Sequence, residues 1–360
     1  MNTTPQKIFL IINPVSGRMK STSSLYEILD ELYRDDKAQD VLPAEDDEPI
    51  HSAHPVVKKK MPAPGLPLLS PSPMNALGGA YNPDRRITVV PTMHRGHATQ
   101  LAAQAAAEGY DTVVCCGGDG TFNETVAGLM TVERKMRPAL GYIPAGSTND
   151  FASSMGLTGV IREAARVTVG SSRARIDVGH FRPLGLKHPP ARHFTYIASF
   201  GAFTATSYST SQTAKNLFGR LAYLVASVKD IGNMQPHHAA FDLSDGTHLE
   251  GDYIFGAVAN TTSAGGVLKL PSDVVSLSDG LLELFLVHMP KTPIDLQKIA
   301  TALLAQDFEG CPLIELHHVK AVKILMDENR SWSLDGEEAL GGKRIEIVCH
   351  RRAIELKTRA

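Results

Sequence analysis

The sequence predicts an α/β domain followed by a mostly antiparallel β-sandwich domain, with the end of the chain returning to the first domain. Three observations predict this. In the first 150 residues, three short apolar runs each break into a polar, glycine-bearing loop and then resume with helical spacing, as in an open parallel sheet. From about Ser154 the texture changes to short runs of alternating polar and apolar residues, the signature of antiparallel strands. At 360 residues and 43% hydrophobic content the chain can bury a large core, and its length suggests two domains. The boundaries read as 1–150, 151–335 and a returning segment 336–360.

In chain order, Lys7 to Ile12 is an apolar run suited to a buried parallel strand, and it stops at Asn13, Pro14, Val15, Ser16 and Gly17, where proline and glycine force a turn. A helix follows over Leu25 to Tyr33. Residues 35–84 stand apart, with the acidic run Glu45 to Glu48, the lysines Lys58 to Lys60, and prolines at 62, 64, 67, 71 and 73. This composition reads as a flexible insertion, either a tolerated surface loop or a tether to a partner or membrane. Ile87 to Val90 makes the next strand. Pro91 to Ala98 then leads into an alanine-rich helix ending at Gly109, with His94 and His97 lacking a metal-binding pattern.

The richest stretch is Val113 to Glu124, where a β-branched run meets Gly117, Gly118, Asp119 and Gly120 and continues as Thr121, Phe122, Asn123 and Glu124. Such a loop lets backbone N–H groups approach an anion in front of a helix N-terminus, the usual way to hold a nucleotide phosphate. A tight strand-to-helix turn uses glycine in the same way for steric reasons. Ala139 to Pro144 is a third buried strand, followed by Ala145 to Asp150 and a helical stretch from Phe151 to Leu157. Loops of this kind gather at the carboxyl ends of the strands, where ligands bind. No GxxxxGK[ST] sequence is present.

In the second half, Arg175 to Val178, His193 to Ile197, Ala239 to Leu243, Tyr253 to Ala259 and Leu282 to Val287 read as strands. Between them, Lys215 to Ile231 sets Leu217, Leu221, Leu224, Val225, Val228 and Ile231 at helical intervals. Near the end, Trp332 to Glu337 alternates apolar and polar and turns at Asp335 and Gly336, a dipeptide that also serves as a plain hairpin corner. Arg344 to Val348 and Ile354 to Leu356 read as the returning strands.

Composition excludes several classes. A formal net charge of −2 argues against a broad nucleic-acid surface but allows a local basic patch. The four cysteines show no CxxC spacing, so Cys115, Cys116, Cys311 and Cys349 read as core residues in a reducing cytosol. No apolar run is long enough to span a bilayer, and the N-terminus lacks a basic segment before its apolar run.

NPVSG at 13–17, GGDGTFNE at 117–124 and GSTND at 146–150 occur in an order and spacing that resemble the diacylglycerol kinase catalytic family of lipid kinases, soluble bacterial members included. SDGLLE at 278–283 and SLDGE at 333–337 extend the match over nearly the whole chain. The resemblance implies a fold like that of NAD kinase and diacylglycerol kinase, and ATP as phosphoryl donor. It assigns the nucleotide to Asn13, Pro14, Val15, Ser16, Gly17, Thr92, Gly118, Asp119, Gly120, Thr121, Phe122, Asn123, Glu124 and Ser147. Thr92 could equally be a helix-capping hydroxyl. Asp335 falls on the general base, and Ser276, Asp279 and Leu281 on a structural Mg²⁺ loop. Ser276 departs from the acidic form of that loop; Asp273 could compensate, or Asp279 and Gly280 could merely cap a turn.

The implied reaction is phosphorylation of diacylglycerol to phosphatidic acid; relatives with the same loops take sphingosine, ceramide or phosphatidylglycerol. The implied setting is cytoplasmic, with peripheral contact at the inner membrane surface and a homodimer. Phe194, Tyr196, Phe200 and Phe203 are candidate walls of an acyl-chain cleft and equally candidate core, and the helix at 215–231 packs in the core or faces lipid. NAD kinase, and a nucleotide- or lipid-binding regulator without turnover, are the rival readings.

Overall fold

The computed structural model describes residues 5–17, 19–34, 82–147, 149–185, 192–201, 235–260, 263–264, 268–269, 277–305, 307–308 and 310–359. The first part is a parallel sheet in the order β4 (Ala139–Pro144), β3 (Thr112–Gly117), β1 (Gln6–Ile12), β2 (Arg85–Pro91). Alternation along β1 explains its two covered faces. Ile8, Leu10 and Ile12 point to one side, against α2 (Leu25–Tyr33) and α6 (Ile161–Val169). Phe9 and Ile11 point to the other, with Ala98, Ala102 and Ala105 of α3 (His97–Ala107) and Phe122 and Val126 of α4 (Asp119–Met130). A sheet buried on both faces needs such continuous apolar strands. The two short helices are α1 (Lys20–Ser23) and α5 (Asp150–Ser154), the latter shorter than its apolar sequence suggests because the chain turns at Gly156, φ +63°.

The second part is antiparallel. It contains β5 (Arg173–Leu184), β6 (Arg192–Phe194), β7 (Ile197–Gly201), β8 (His237–Leu243), β9 (His248–Ala259), the ribbon β10 (Ser263–Ala264) and β11 (Leu268–Lys269), β12 (Leu282–His288), β13 (Ile314–Val319), β14 (Ala321–Leu334) and β15 (Glu337–Lys357). The run expected as one strand over His193 to Ile197 is broken between β6 and β7, because the N–H groups of Thr195 and Tyr196 turn to a carboxylate instead of a neighbouring strand.

The chain end returns as expected, but as one strand rather than two: β15 pairs with β14, with β5 along most of its length, and finally in parallel with β4 through Leu356 and Leu140. A register shift between His350 and Ile354 bends it. This strand joins the parallel and antiparallel parts into one thirteen-stranded sheet among the described residues.

Three described helices were not expected from the sequence: α1, α6, which interrupts the strand texture read from about Ser154, and α7 (Pro293–Ala305). In α7 the start is explicit. Pro293 opens it, Thr292 Oγ1 accepts from Asp295 N (3.1 Å), and Asp295 Oδ2 accepts from Thr292 N (2.9 Å), a reciprocal capping pair. Its apolar side, Leu296, Ile299, Ala300 and Leu303, packs on Phe255, Phe285 and Val287.

The ends of the inserted segment meet. Asn82 N donates to Tyr33 O at 2.7 Å, and the buried Arg85 guanidinium donates to Leu32 O and Arg34 O. Phe203, the expected helix at 215–231 and residues 35–81 of the insertion lie outside the described residues. Phe194, Tyr196 and Phe200 are buried in the core, the second of the two roles open to them. Cys115, Cys116 and Cys311 are buried and unpaired, as expected of core thiols, and burial pushes Cys115 up to about 12.

Candidate active site

The three loops converge at the carboxyl ends of β1, β3 and β4. Asn13 Nδ2 donates to Thr121 Oγ1 at 2.9 Å and Asn13 Oδ1 accepts from Val15 N, so the first loop is tied to the first turn of α4. Ser16 Oγ donates to Ala145 O at 3.3 Å, tying it to the third. Glycine is required at the contacts. At Gly17, φ is +56° and a Cβ would lie 2.0 Å from Ala145 O. At Gly146 a Cβ would lie 2.5 Å from Gly118 Cα. Asn149, at φ +53°, folds its amide back on the third loop, accepting from Gly146 N at 2.9 Å and donating to Gly146 O at 3.1 Å.

Gly120 differs, because the nearest atom to a Cβ there is Glu337 Oε1 at 3.9 Å. Packing leaves room for a side chain, so approach of a ligand accounts for this glycine better than steric need does.

The other nucleotide candidates separate by position. Pro14 and Thr92 are half-buried, while Val15 and Ser147 are exposed on the loop tips. Thr92 N donates to Ile12 O at 2.8 Å, which keeps the second loop beside the first. Asp119 Oδ1 accepts from Phe151 N. Phe122 is fully buried, stacked on Phe151 at 4.3 Å, so its contribution to the loop is packing. Glu124 accepts from Gly96 N at 2.7 Å and Ala98 N at 3.3 Å, capping α3.

Asp335 and Gly336 form a two-residue hairpin between β14 and β15, both with positive φ, +49° and +84°. Positive φ at both central positions is the type I′ geometry, so the hairpin-corner reading of this dipeptide holds. Its carboxylate is also caged. Oδ1 accepts from Tyr196 N (3.0 Å) and Ile197 N (2.8 Å), and Oδ2 from Thr195 N (2.8 Å), Thr195 Oγ1 (3.1 Å) and the Asn123 amide. Five donors meet a group with about four lone-pair sites. Burial pushes the carboxyl above the ordinary aspartate range, against the pull of these hydrogen bonds. Asn123 also places the carboxylate one helical turn from Gly118 to Gly120.

The loop assigned to Mg²⁺ is described in part. Asp279 is exposed and its Oδ1 accepts from Leu281 N at 2.9 Å; the Leu281 carbonyl faces the Cys349 thiol at 3.9 Å; Ser276 and Asp273 lie outside the described residues. Among the described residues no group of three or more His, Cys, Asp or Glu side chains could hold a metal ion. One carboxylate and a carbonyl at an exposed loop form an all-oxygen set, suited to a hard cation that keeps most of its water. What fixes this loop is Asp177, fully buried, which accepts from Gly280 N at 2.6 Å and Arg352 N at 2.5 Å. Sequence reasoning missed it; its only signal is an acidic residue inside the strand Arg175 to Val178.

Beside the cage, His180, His193 and His350 stack with ring centroids 4.9, 5.3 and 5.9 Å apart. Burial first, then mutual repulsion and the nearby Arg137, hold His193 down at about 4, and His180 and His350 are lowered as well. The folded protein keeps them neutral while the unfolded chain takes up protons below about 6.5. Stability is therefore present above pH 6.5 and is lost as pH falls towards 4, by about 3 kcal/mol from His193 alone. Denaturant melts at stepped pH should show this slope, and His193→Phe should flatten it; identical slopes for both proteins would exclude His193 as its source.

Arg95 and Arg192 were also missed, and Glu337 was read only as part of the SLDGE motif. Glu337 Oε2 accepts from Arg95 Nη2 at 2.9 Å and from Arg192 Nη2 at 2.7 Å. Residues 242 positions apart carry no local signal of such a pair.

Comparison with known proteins bears on the family and the fold. Residues 79–181 match the diacylglycerol kinase catalytic domain, and residues 198–356 the YegS C-terminal NAD kinase beta sandwich-like domain. The chain is 30% identical over 269 residues to the diacylglycerol kinase of Bacillus subtilis, covering 74% of this chain and 84% of that protein. It is 31% identical over 271 residues to a probable YegS-like lipid kinase of Chromohalobacter salexigens, covering 74% and 82%. Its fold is similar to the solved structure of a putative diacylglycerol kinase from Bacillus anthracis, with a TM-score of 0.69 at 21% identity over 99% of each chain.

Proposed function

The chain belongs to the diacylglycerol kinase-like family of lipid kinases, and from that premise we propose that it transfers the γ-phosphoryl group of ATP to the free hydroxyl of diacylglycerol, giving phosphatidic acid. The observation that carries this reading is the juxtaposition of the caged Asp335 carboxylate with Asn123, on the helix that opens with the glycine loop. A phosphate loop and a candidate base then flank one crevice.

In this mechanism the loops at 13–17, 118–121 and 146–147 hold the triphosphate through backbone N–H groups and hydroxyls, without a Walker lysine. Mg²⁺ entering with the nucleotide would supply charge neutralisation, and Asp279 with the Leu281 carbonyl would hold a second, structural ion. Asp335 accepts the proton of the attacking hydroxyl. Because its lone pairs are already taken, the hydroxyl must displace a donor. Three of the five are backbone N–H groups fixed by the start of β7, so the side chains of Asn123 or Thr195 are the ones that turn away. A carboxyl raised by burial is the better proton acceptor once that exchange occurs.

No helix among the described residues is long and apolar enough to cross a membrane. We further propose a cytoplasmic enzyme that meets its lipid through reversible contact at the inner membrane surface, as a homodimer; this part rests on the family resemblance. The test is transfer from γ-labelled ATP, with Mg²⁺, to a panel of lipids in mixed micelles, with NAD as a soluble acceptor. Label in phosphatidic acid supports the proposal. Label in sphingosine, ceramide or phosphatidylglycerol would keep the mechanism and change the acceptor; label only in NAD, or ATP binding with no transfer, would overturn it.

A further inference from the structure

Glu337 is a carboxylate held between two guanidiniums. Arg95 comes from the turn after β2, Arg192 from the start of β6, and both donate through Nη2 to the same Oε2, at 2.9 and 2.7 Å. Arg192 Nη1 is further fixed on Glu338 O at 2.7 Å, whereas Arg95 is 72% exposed and makes this single contact. The other carboxylate oxygen, Oε1, is the atom that a Cβ on Gly120 would meet. The pair thus stands over the first turn of α4, beside the phosphate loop. Two positive charges face one negative charge, and among the described residues most of the Arg95 fork has no acceptor.

We propose that Arg95 and Arg192 form a clamp for a phosphoryl group, with Glu337 holding both guanidiniums in place until the anion arrives. A tetrahedral phosphate offers several oxygens to two planar forks, a better match than one shared carboxylate oxygen. Arg192, tied to Glu338 O, is the fixed jaw; Arg95, exposed and singly bonded, is the jaw that moves. Glu124 keeps the hinge of that moving jaw in place by holding Gly96 N and Ala98 N. The phosphoryl group has two possible sources, the γ position of ATP or a phosphate carried by the acceptor. The inference rests on the proposed function, through ATP as donor for the first source and through a lipid acceptor for the second.

The experiment compares the full-length protein with Arg95→Gln and Arg192→Gln by calorimetric titration with ATP and with ADP, and by kinetics on diacylglycerol and phosphatidylglycerol micelles. A γ-phosphate clamp weakens ATP binding by about tenfold to a hundredfold and leaves ADP within about twofold, the range for a charge-assisted hydrogen bond. An acceptor clamp leaves both nucleotides unchanged and raises KM about tenfold for phosphatidylglycerol relative to diacylglycerol. Nucleotide affinities and KM ratios all within twofold of the parent, in variants that melt at the parent temperature, would refute the clamp. Failure of the lipid kinase reading is separate: the parent protein would then turn over neither lipid, while the ATP and ADP titrations still test the arginines. Because Arg95 is exposed, its variant is the informative one should Arg192→Gln fail to fold.

Discussion

Asp335→Asn is expected to lower phosphoryl transfer by about a thousandfold or more while leaving ATP affinity within about twofold, as removal of a general base should. The cage makes this variant more than a catalytic test. An amide in place of the carboxylate keeps one oxygen for Tyr196 N and Ile197 N but turns an NH₂ group towards Thr195 N, which can only donate, and towards the Thr195 hydroxyl and Asn123 amide, which must turn to accept. A buried donor left unpaired costs about 1–3 kcal/mol, so stability should fall by roughly 2 kcal/mol in denaturant melts. The control is Thr195→Val, which removes one donor from the cage and leaves the base. It should lose comparable stability and at most a few-fold in turnover. Turnover in Asp335→Asn above a tenth of the parent value would remove the base from Asp335 and leave it a structural staple between β7, β14 and α4.

Gly146→Ala should damage the nucleotide site severely. The added methyl would meet Gly118 Cα at 2.5 Å and Asn149 Oδ1 at 2.7 Å, and the first of these is backbone. The third loop must then part from the second, at a cost of about 3 kcal/mol in stability and about a hundredfold in ATP affinity. Gly120→Ala separates ligand approach from packing: it should melt normally and still bind ATP about tenfold more weakly, because nothing but Glu337 Oε1 lies near its methyl. Gly159→Ala is the blank, since a Cβ there meets nothing within 4 Å. Equal ATP affinity in the Gly146 and Gly159 variants would mean that the loops at 118 and 146 do not jointly hold the nucleotide.

The parallel half was legible because its strands are buried on both faces and its loops carry glycine, proline and asparagine, residues whose backbone chemistry shows in their identity. The antiparallel half was legible as texture but not in its joints. Arg344 to Val348 and Ile354 to Leu356 looked like two strands because the bend between them carries Arg351 and Arg352, and only pairing with β5 shows them to be one. The helix α7 was hidden behind a strand-rich neighbourhood, although Thr292, Pro293 and Asp295 spell its start. At the site, Asp335 was legible from its motif, while its partners were not: three of the donors around it are backbone N–H groups, which any residue supplies. The Arg95, Arg192 and Glu337 set and the Asp177 staple join distant strands, and no spacing in one dimension encodes them.

The meeting of Tyr33 and Asn82 has a practical consequence for building new molecules on this scaffold. Both sides of the gap are pinned by Arg85 and by a direct backbone hydrogen bond, so whatever joins them has only a short span to bridge. A compact guest domain with neighbouring termini, such as a fluorescent reporter, could be spliced in at this position, and the phosphate loops, which lie at the opposite ends of β1 and β2, would not register the exchange.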